Sequence, residues 1–347
     1  MKKESISFNQ WSGHSSPQKI LVIRIQALGD LFFTFPLIAD LKQKYPNSKI
    51  DLLTRSDYAP FAEKMSLFNQ VHSIPINIKS RFQRFINIYA SIKLALQLKK
   101  HQFEVVIDLQ RNENSRLIRR YLNPLAWTEF DRFSPQSALV RNQQSINLLG
   151  LEYLEPNFSF AKTIPSQQKF MKLLDQFGKN SNTDVVIINP AGAFENRHWP
   201  LERYIEFINL WLKKHSQCQF VILGVDKIKQ KADALQARYP EHVINLVNET
   251  SIFEAYQIVL SAKLMLTEDS GLGHFAWLSG VNTVMMLGAT RHDWVAPIGQ
   301  HTYCFHSGDL PCGDCWQFTC ARHDNYCMTR LTSHQVFDKA NALYSQK

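Results

Sequence analysis

The chain has 347 residues, 45% hydrophobic and 20% charged, with a formal net charge of +9. This length and apolar content suit a soluble globular chain with about two cores, and no run approaches the ~20 apolar residues of a membrane-spanning helix. The basic balance favours an anionic partner (membrane surface, phosphorylated substrate or nucleic acid), and the missing RNA-recognition signature of aromatics and glycines ranks nucleic acid last.

Residues 1–18 are polar and read as a flexible tail. They hold no apolar segment of the secretory kind, which places the chain in the cytoplasm. Residues 20–25 form a β-branched run that reads as a buried parallel strand. Leu31, Phe35, Ile38 and Leu41 then fall on one helical face. The chain therefore turns at Gly29, and a helix begins at Asp30. Asp30 sits at the sheet edge where α/β folds place ligands, although taken alone it reads first as a helix N-cap.

Lys49–Thr54 and Val71–Ile74 read as further strands, followed by a long amphipathic helix from Ser80 to Lys100. Phe82, Phe85, Ile86, Tyr89, Ile92 and Leu96 share one of its faces, with Arg81, Arg84, Lys93, Lys99 and Lys100 off it. The commoner role for such an apolar face is to cover the sheet; the other is to rest on an anionic bilayer. The strand Glu104–Leu109 empties into a loop and helix start carrying Arg111, Arg116, Arg119 and Arg120. Arginines at a strand end suit a bidentate grip on carboxylate or phosphate, with a solvated helix start as the plain alternative.

Residues 151–184 lose strand character and read as a connection with one helix over about 166–177. Strand–helix alternation then restarts, with strands at Asp184–Asn189, Gln219–Leu223, His242–Leu246, Lys263–Thr267 and Asn282–Leu287. Two such series predict an α/β chain of two parallel-sheet domains facing each other across a cleft. The boundaries are 19–160 for the first domain, 161–183 for the connection and 184–330 for the second. Residues 331–347 read as a C-terminal helix with the option of packing back on the first domain.

Three loops of the second half carry the chemistry. In Asn189-Pro-Ala-Gly192-Ala193-Phe-Glu-Asn-Arg197-His198-Trp199-Pro200 the small residues let main-chain N–H groups approach a phosphate, with Arg197 supplying charge. In Leu223-Gly224-Val225-Asp226 the acid can face a base or ribose. In Glu268-Asp269-Ser270-Gly271-Leu272-Gly273-His274 a strand runs into a bare helix N-terminus, an anion site. There Ser270 and the Gly271 and Leu272 amides hold a diphosphate. Asp269 belongs on a sugar hydroxyl or at the cap, and His274 either donates to a phosphate or is a satisfied core residue. No G-x-G-x-x-G follows residues 20–25, which argues against an NAD enzyme.

Ile23-Arg-Ile-Gln-Ala-Leu-Gly-Asp30, Asn189-Pro-Ala-Gly-Ala193, Arg197-His-Trp-Pro200, Asp269-Ser-Gly-Leu-Gly-His274 and Gly280 to Thr290, in this order and spacing, resemble glycosyltransferase family 9, the ADP-heptose:lipopolysaccharide heptosyltransferases. The likeness spans about residues 19 to 340. It implies a GT-B architecture of two Rossmann-like domains. It also implies inverting transfer of heptose from ADP-L-glycero-β-D-manno-heptose to the lipopolysaccharide inner core, with no metal or other cofactor in the chemistry. The family's catalytic aspartate matches Asp30, and its donor-phosphate lysine matches Arg197, a departure. Its Asp-Thr-Gly-x-x-His set matches Asp269, Ser270, Gly271 and His274, with Ser for Thr, and its adenosine contact has Asp226 as nearest candidate. The arginines at 111, 116, 119 and 120 would then meet the acidic acceptor, at the cytoplasmic face of the inner membrane. The competing functions are transfer of another nucleotide sugar onto an envelope glycan, and a catalytically silent nucleotide- or glycan-binding relative.

Six cysteines are present, five of them between Cys304 and Cys327, which suits a reducing compartment. Cys312-x2-Cys315-x4-Cys320-x6-Cys327 contains one pair at metal spacing. A second C-x2-C pair is missing, so packed, reduced thiols are favoured over a structural zinc.

Overall fold

The computed structural model describes residues 6–76, 81–132, 134–164, 168–176, 183–192 and 194–346. The chain forms two compact units, Met1–Phe160 and Ala161–Lys347.

The first unit is built on six strands: β1 (Phe8–Asn9), β2 (Lys19–Ile23), β3 (Lys49–Arg55), β4 (Val71–Ile74), β5 (Val105–Asp108) and β6 (Ala126–Glu129). Their order is β1-β6-β5-β2-β3-β4, all parallel except β1. The central strands are buried on both faces, which is why they read as continuous apolar runs. Of the expected tail, residues 6–18 are described and carry structure: Phe8 pairs with Thr128 in antiparallel register, and Trp11 N–H donates to Leu149 C=O at 2.8 Å. Among the described residues the helices accompanying the sheet are α1 (Leu28–Phe32), α2 (Phe35–Lys44), α3 (Ala59–Lys64), α4 (Arg81–Leu98), α5 (Glu113–Leu122) and α6 (Ala138–Asn147). Leu31, Phe35, Ile38 and Leu41 are all fully buried, as their spacing predicts. The helix starts two residues before Asp30, however, and pauses at Phe33–Thr34, which splits it into α1 and α2.

Helix α4 presents the reverse of its expected core face. Phe85 is 73% exposed and Tyr89 69%, with Ile86 and Leu96 also in solvent, while Asn87, Ser91, Ala95 and Leu98 are buried. The small residues win because α4 packs closely against α5, where the Ser91 hydroxyl meets Asn114 Oδ1 at 3.2 Å. Phe82 lies outside the residues whose side chains are described.

The second unit begins with α7 (Gln168–Gln176) and carries β7 (Val185–Asn189), β8 (Gln219–Ile222), β9 (Val243–Asn245), β10 (Leu264–Glu268), β11 (Thr283–Met286) and β12 (Thr302–Phe305). The sheet is fully parallel, in the order β12-β11-β10-β7-β8-β9. Between and after the strands run α8 (Leu201–Lys214), α9 (Lys229–Arg238), α10 (Ile252–Leu260), α11 (Gly271–Leu278), α12 (His292–Val295), α13 (Tyr326–Thr329) and α14 (Ser333–Tyr344). Trp199, Tyr204, Phe207, Trp211 and Phe220 fill the core on the α8 side. Helix α14 belongs to this core. It packs on α8 and on β10 to β12, with the Tyr344 ring 5.0 Å from that of Trp211. The connecting residues from Ala161 likewise belong to the second unit.

Candidate active site

In the second unit β7 and β10 are parallel neighbours, so the loops leaving their C-terminal ends meet. The residue that joins them is Glu268, the last of β10 and fully buried. It accepts from Gly192 N–H (2.8 Å), Trp199 N–H (2.7 Å), Tyr204 O–H (3.0 Å) and His198 Nδ1 (2.7 Å). Burial, with Glu268 adding to it, pushes the Tyr204 hydroxyl well above its ordinary pKa, so it remains a donor. Gly192 is required by this closeness: a Cβ there would stand 3.0 Å from Glu268 Oε2 and 2.9 Å from Arg197 C=O. Its amide is therefore committed to the protein rather than to a phosphate. Ala193 lies outside the described residues.

Asp269, one residue on, serves neither as a helix cap nor as a free acceptor for a sugar. Its Oδ2 receives Arg197 Nη1 (2.7 Å) and Thr290 O–H (2.6 Å), and its Oδ1 faces His274 Nε2 at 3.2 Å. Burial works against its ionisation, but His274, Thr290 and Arg197 together hold its carboxyl below the ordinary range. His274 Nδ1 accepts from Trp277 Nε1 at 3.2 Å, which fixes the tautomer that donates to Asp269 from Nε2. Both ring nitrogens are thus satisfied within the protein, the core role that stood as the plain alternative. The N-cap of α11 is Ser270, whose hydroxyl accepts from Gly273 N–H at 3.0 Å and contacts Asn189 Oδ1 at 2.5 Å. Its oxygen is a scaffold rather than an anion ligand.

Two features remain open toward a ligand. Among the described residues the Gly271 and Leu272 N–H groups find no protein acceptor, and a Cβ at Gly271 would meet nothing within 4 Å. Beside them the Arg197 guanidinium is buried between the rings of Phe194 and Trp316, each 4.8 Å from its carbon. One of its nitrogens bonds Asp269, while Nε and Nη2 are buried with no partner among the described residues. Buried donors left unmade are costly, and a phosphate is the group that matches a guanidinium fork. Asp226 is exposed and held by Asn248 Nδ2 at 2.6 Å. Its neighbour Lys227, overlooked in the sequence, bonds Gly192 C=O at 2.9 Å.

In the first unit Asp30 is the third residue of α1, and its Oδ2 accepts from Ala27 N–H at 3.0 Å. Its Oδ1 pairs at 3.0 Å with Arg24, whose side chain is buried while that of Asp30 is 42% exposed. Arg24 also donates to Leu109 C=O, and Gln110 Oε1 accepts from the Ile25 and Gln26 N–H groups. The Asp30 turn and the arginine loop are therefore bound together at one sheet edge. The sequence drew attention to neither Arg24 nor Gln110.

The four arginines line one cavity of about 550 Å³, which runs along α5 and β6. They are not equivalent. Arg111 and Arg119 are buried and turned onto Glu129, which Arg116 Nε also reaches at 3.2 Å. Arg119 lies 3.6 Å over the Trp127 ring. Only Arg116 and Arg120 reach solvent, a correction to the idea that all four meet an acceptor. Burial of two guanidiniums demanded a counter-charge, and Glu129 at the end of β6 supplies it. Four guanidiniums against Glu129 and the buried Asp108 still leave two positive charges in excess.

The glycosyltransferase family 9 (heptosyltransferase) pattern matches residues 91–325. Lipopolysaccharide heptosyltransferase 3 of Escherichia coli is 22% identical over 302 residues, 81% of this chain and 86% of that one. Lipooligosaccharide heptosyltransferase 2 of Campylobacter jejuni is 23% identical over 327 residues, 91% and 95% of the two chains. Among solved structures, a family 9 glycosyltransferase of Veillonella parvula superposes with a TM-score of 0.73 at 16% identity, over 94% of this chain and 97% of that one. The E. coli ADP-heptose lipopolysaccharide heptosyltransferase II gives 0.69 at 18%, over 94% and 98%. Two parallel sheets flanked by helices, with the motifs in family order and the match covering most of the chain, make this protein a GT-B-type glycosyltransferase that belongs to glycosyltransferase family 9.

Proposed function

We propose that the chain transfers heptose from ADP-L-glycero-β-D-manno-heptose to the lipopolysaccharide inner core, inverting the anomeric centre and using no divalent metal in the chemistry. The observation that carries this reading is Arg197: a buried guanidinium with two donors unmade among the described residues, in the same unit as the Gly271 and Leu272 N–H groups of α11, which among those residues find no protein acceptor either. A diphosphate would satisfy both. The heptosyltransferase relatives, and a related E. coli structure holding ADP-2-deoxy-2-fluoro heptose, support ADP-heptose as donor.

In the reaction the acceptor hydroxyl oxygen bonds to the anomeric carbon as the carbon–phosphate oxygen bond breaks. ADP leaves with the electron pair, and the hydroxyl proton passes to Asp30. Such a base contributes about 10²–10⁴-fold, and Arg24 positions it. Charge growing on ADP is met by Arg197 and the N-terminus of α11, the work a metal would otherwise do.

The acceptor end rests on α4 and α5. A groove between these helices, lined by Arg84, Glu113, Arg116 and Arg120, with Arg84 paired to Glu113 at 2.7 Å and a net excess of positive charge, lies beside the exposed stripe of Phe85, Ile86, Tyr89 and Leu96. An apolar stripe beside basic residues suits an anionic bilayer, and the groove suits an acidic core sugar. The protein would thus work as a peripheral enzyme on the cytoplasmic face of the inner membrane.

The test is Asp30→Asn assayed with ADP-heptose, alongside a thermal-shift screen of ADP-heptose against UDP-, GDP- and other ADP-sugars. Loss of transfer with ADP affinity retained is expected, and full activity removes the base. Stabilisation by a UDP- or GDP-sugar in place of ADP-heptose overturns the donor.

A further inference from the structure

We propose that Asp51, His72 and His101 together bind one divalent transition metal of the zinc class, on the edge of the first unit's sheet opposite to Asp30. Among the described residues this is the only group of three or more His, Cys, Asp or Glu whose ligand atoms all lie within 4.8 Å of one another. The proposed transfer reaction uses none of the three.

The strand register brings them together. Leu21 pairs with Asp51 across β2 and β3, and Leu53 pairs with His72 across β3 and β4. Residues i and i+2 of a strand share a face, so Asp51 and His72 stand on the face that also carries Leu21 and Leu53, members of a buried apolar core. Asp51 is third in β3 and His72 second in β4, near the N-terminal ends of the strands, whereas Asp30 follows the C-terminal end of β2. The third member closes the short turn Lys99–His101 that follows α4. Gln102 then takes the left-handed conformation, with φ of 54°, and Lys19 Nζ donates to His101 C=O at 2.9 Å. These two features fix the turn. The His101 ring stacks on Phe103 at 5.6 Å and stands edge-on to His72 at 5.0 Å.

A carboxylate on an apolar face is costly without a positive partner, and Asp51 is only 5% exposed. Its Oδ2 meets His72 Nε2 at 2.9 Å. The His101 ring makes no hydrogen bond among the described residues, yet one of its nitrogens comes within 4.8 Å of both partners' ligand atoms. A single proton between Asp51 and His72 cannot also serve His101, whereas one cation serves all three. Two imidazoles and a carboxylate are a ligand set for zinc and its neighbours, with water in the fourth place; calcium and magnesium take oxygen ligands instead. Bonds of about 2.0–2.1 Å set ligand atoms about 3.3 Å apart on a tetrahedral ion. That value falls between the 2.9 Å of the Asp51–His72 pair and the 4.8 Å that bounds the trio, so ligation asks only for small side-chain shifts. The ion ties the turn after α4 to β3 and to β4, which lies at the edge of the sheet.

The full-length protein, free of any polyhistidine tag, is stripped with chelator, loaded with Zn²⁺ or Co²⁺, desalted and analysed for metal beside His101→Phe, which keeps a ring against Phe103. Wild type should carry one more ion per chain than the variant; the difference is read so that any ion held by the cysteines cancels. The cobalt difference spectrum should show the weak visible bands of a nitrogen and oxygen set, without thiolate charge transfer. With zinc at about 100 times its Kd, the melting temperature of wild type should rise about 5–10 °C further than that of the variant. Equal metal counts and equal cobalt spectra in the two proteins overturn the proposal and leave Asp51 and His72 a plain hydrogen-bonded pair. Should His101→Phe fail to fold, diethyl pyrocarbonate labelling of the wild type decides: Zn²⁺ should protect His72 and His101, and equal labelling with and without the ion removes the site. His101→Phe should leave ADP binding and sugar transfer unchanged, so failure of the transfer reading leaves this site standing, and the reverse holds.

Discussion

Glu268→Gln isolates the buried carboxylate that joins the two donor loops. Glu268 Oε2 receives a main-chain N–H from Gly192, and Oε1 receives one from Trp199. In Gln one of these oxygens becomes NH₂. His198 can change tautomer and Tyr204 can rotate its hydroxyl, but a main-chain N–H cannot become an acceptor. Whichever way the amide turns, one buried donor faces another, at a cost of about 1–3 kcal/mol. Lys231 Nζ, 4.0 Å from Oε1, also loses its counter-charge. Taking about 2 kcal/mol, and about 2–4 °C per kcal/mol for a domain of this size, the melting temperature should fall by about 4–8 °C. Tyr204→Phe removes one bond without creating a clash and should cost only about 1 kcal/mol. Calorimetry or denaturant titration of wild type and both variants measures the differences. A Glu268→Gln protein that melts within about 1 °C of wild type would refute this account of the loops.

Arg197→Ala should weaken ADP binding about 10- to 100-fold, the worth of charge-assisted hydrogen bonds; Arg197→Lys should recover part of this as a point charge without the fork. Calorimetric titration with ADP reads both, and unchanged affinity in the Ala variant would remove the phosphate role. Phe85→Ser with Tyr89→Ser should leave the melting point within the scatter of surface substitutions while lowering binding to anionic vesicles on the order of 10²-fold, from the apolar area removed. Co-sedimentation with vesicles tests this, and undiminished binding would detach α4 from the membrane. The Asp269 carboxyl is held below its ordinary pKa in the folded state. Its contribution to stability is therefore present above the usual carboxylate range and lost as pH falls through the lowered value. The melting difference between wild type and Asp269→Asn should shrink below about pH 4, and a difference that grows on acidification would reverse the sign.

The parallel strands were legible because burial on both faces leaves β-branched runs such as Ile20–Ile23 and Val185–Ile188 with no polar interruption. The strands that escaped are edges or nearly so. Phe8–Asn9 is two residues long, Ala126–Glu129 mixes an aromatic with polar residues, and Thr302–Phe305 is only partly buried. Periodicity located α4 to within a residue or two of its start yet gave its orientation in reverse. An apolar stripe says that a helix has a distinct face, but not whether protein or another medium covers it, and here close contact with α5 selected the small residues. At the site, motif order brought out Asp30, Arg197 and the bare start of α11. Individual bonds stayed hidden because they depend on which atoms converge from distant positions. Gly192 and His274 lie in matching motifs, and their polar atoms are nonetheless spent on Glu268, Asp269 and Trp277.

The overlooked residues share a rule that connects the two units. Asp108, Glu129 and Glu268 each occupy the last position of a strand, and each is fully or almost fully buried. Asp108 accepts from the Gln110 and Arg111 N–H groups and the Ser115 hydroxyl, Glu129 gathers Arg111, Arg116 and Arg119, and Glu268 gathers the loop that carries Arg197. A loop meant to bind an anion needs clustered donors and cations, which repel one another and do not fold alone. A carboxylate fixed at the strand end, where its geometry is set by the sheet, orders those groups before any ligand arrives. It takes only part of their capacity, leaving Arg120 outside any ion pair among the described residues and two Arg197 nitrogens unmade. Preorganised donors of this kind need no rearrangement as charge develops on a leaving group. The acid that looks misplaced beside an anion site is thus the part that lets the site exist, and an acidic residue closing a buried strand is the signal by which such a site can be found.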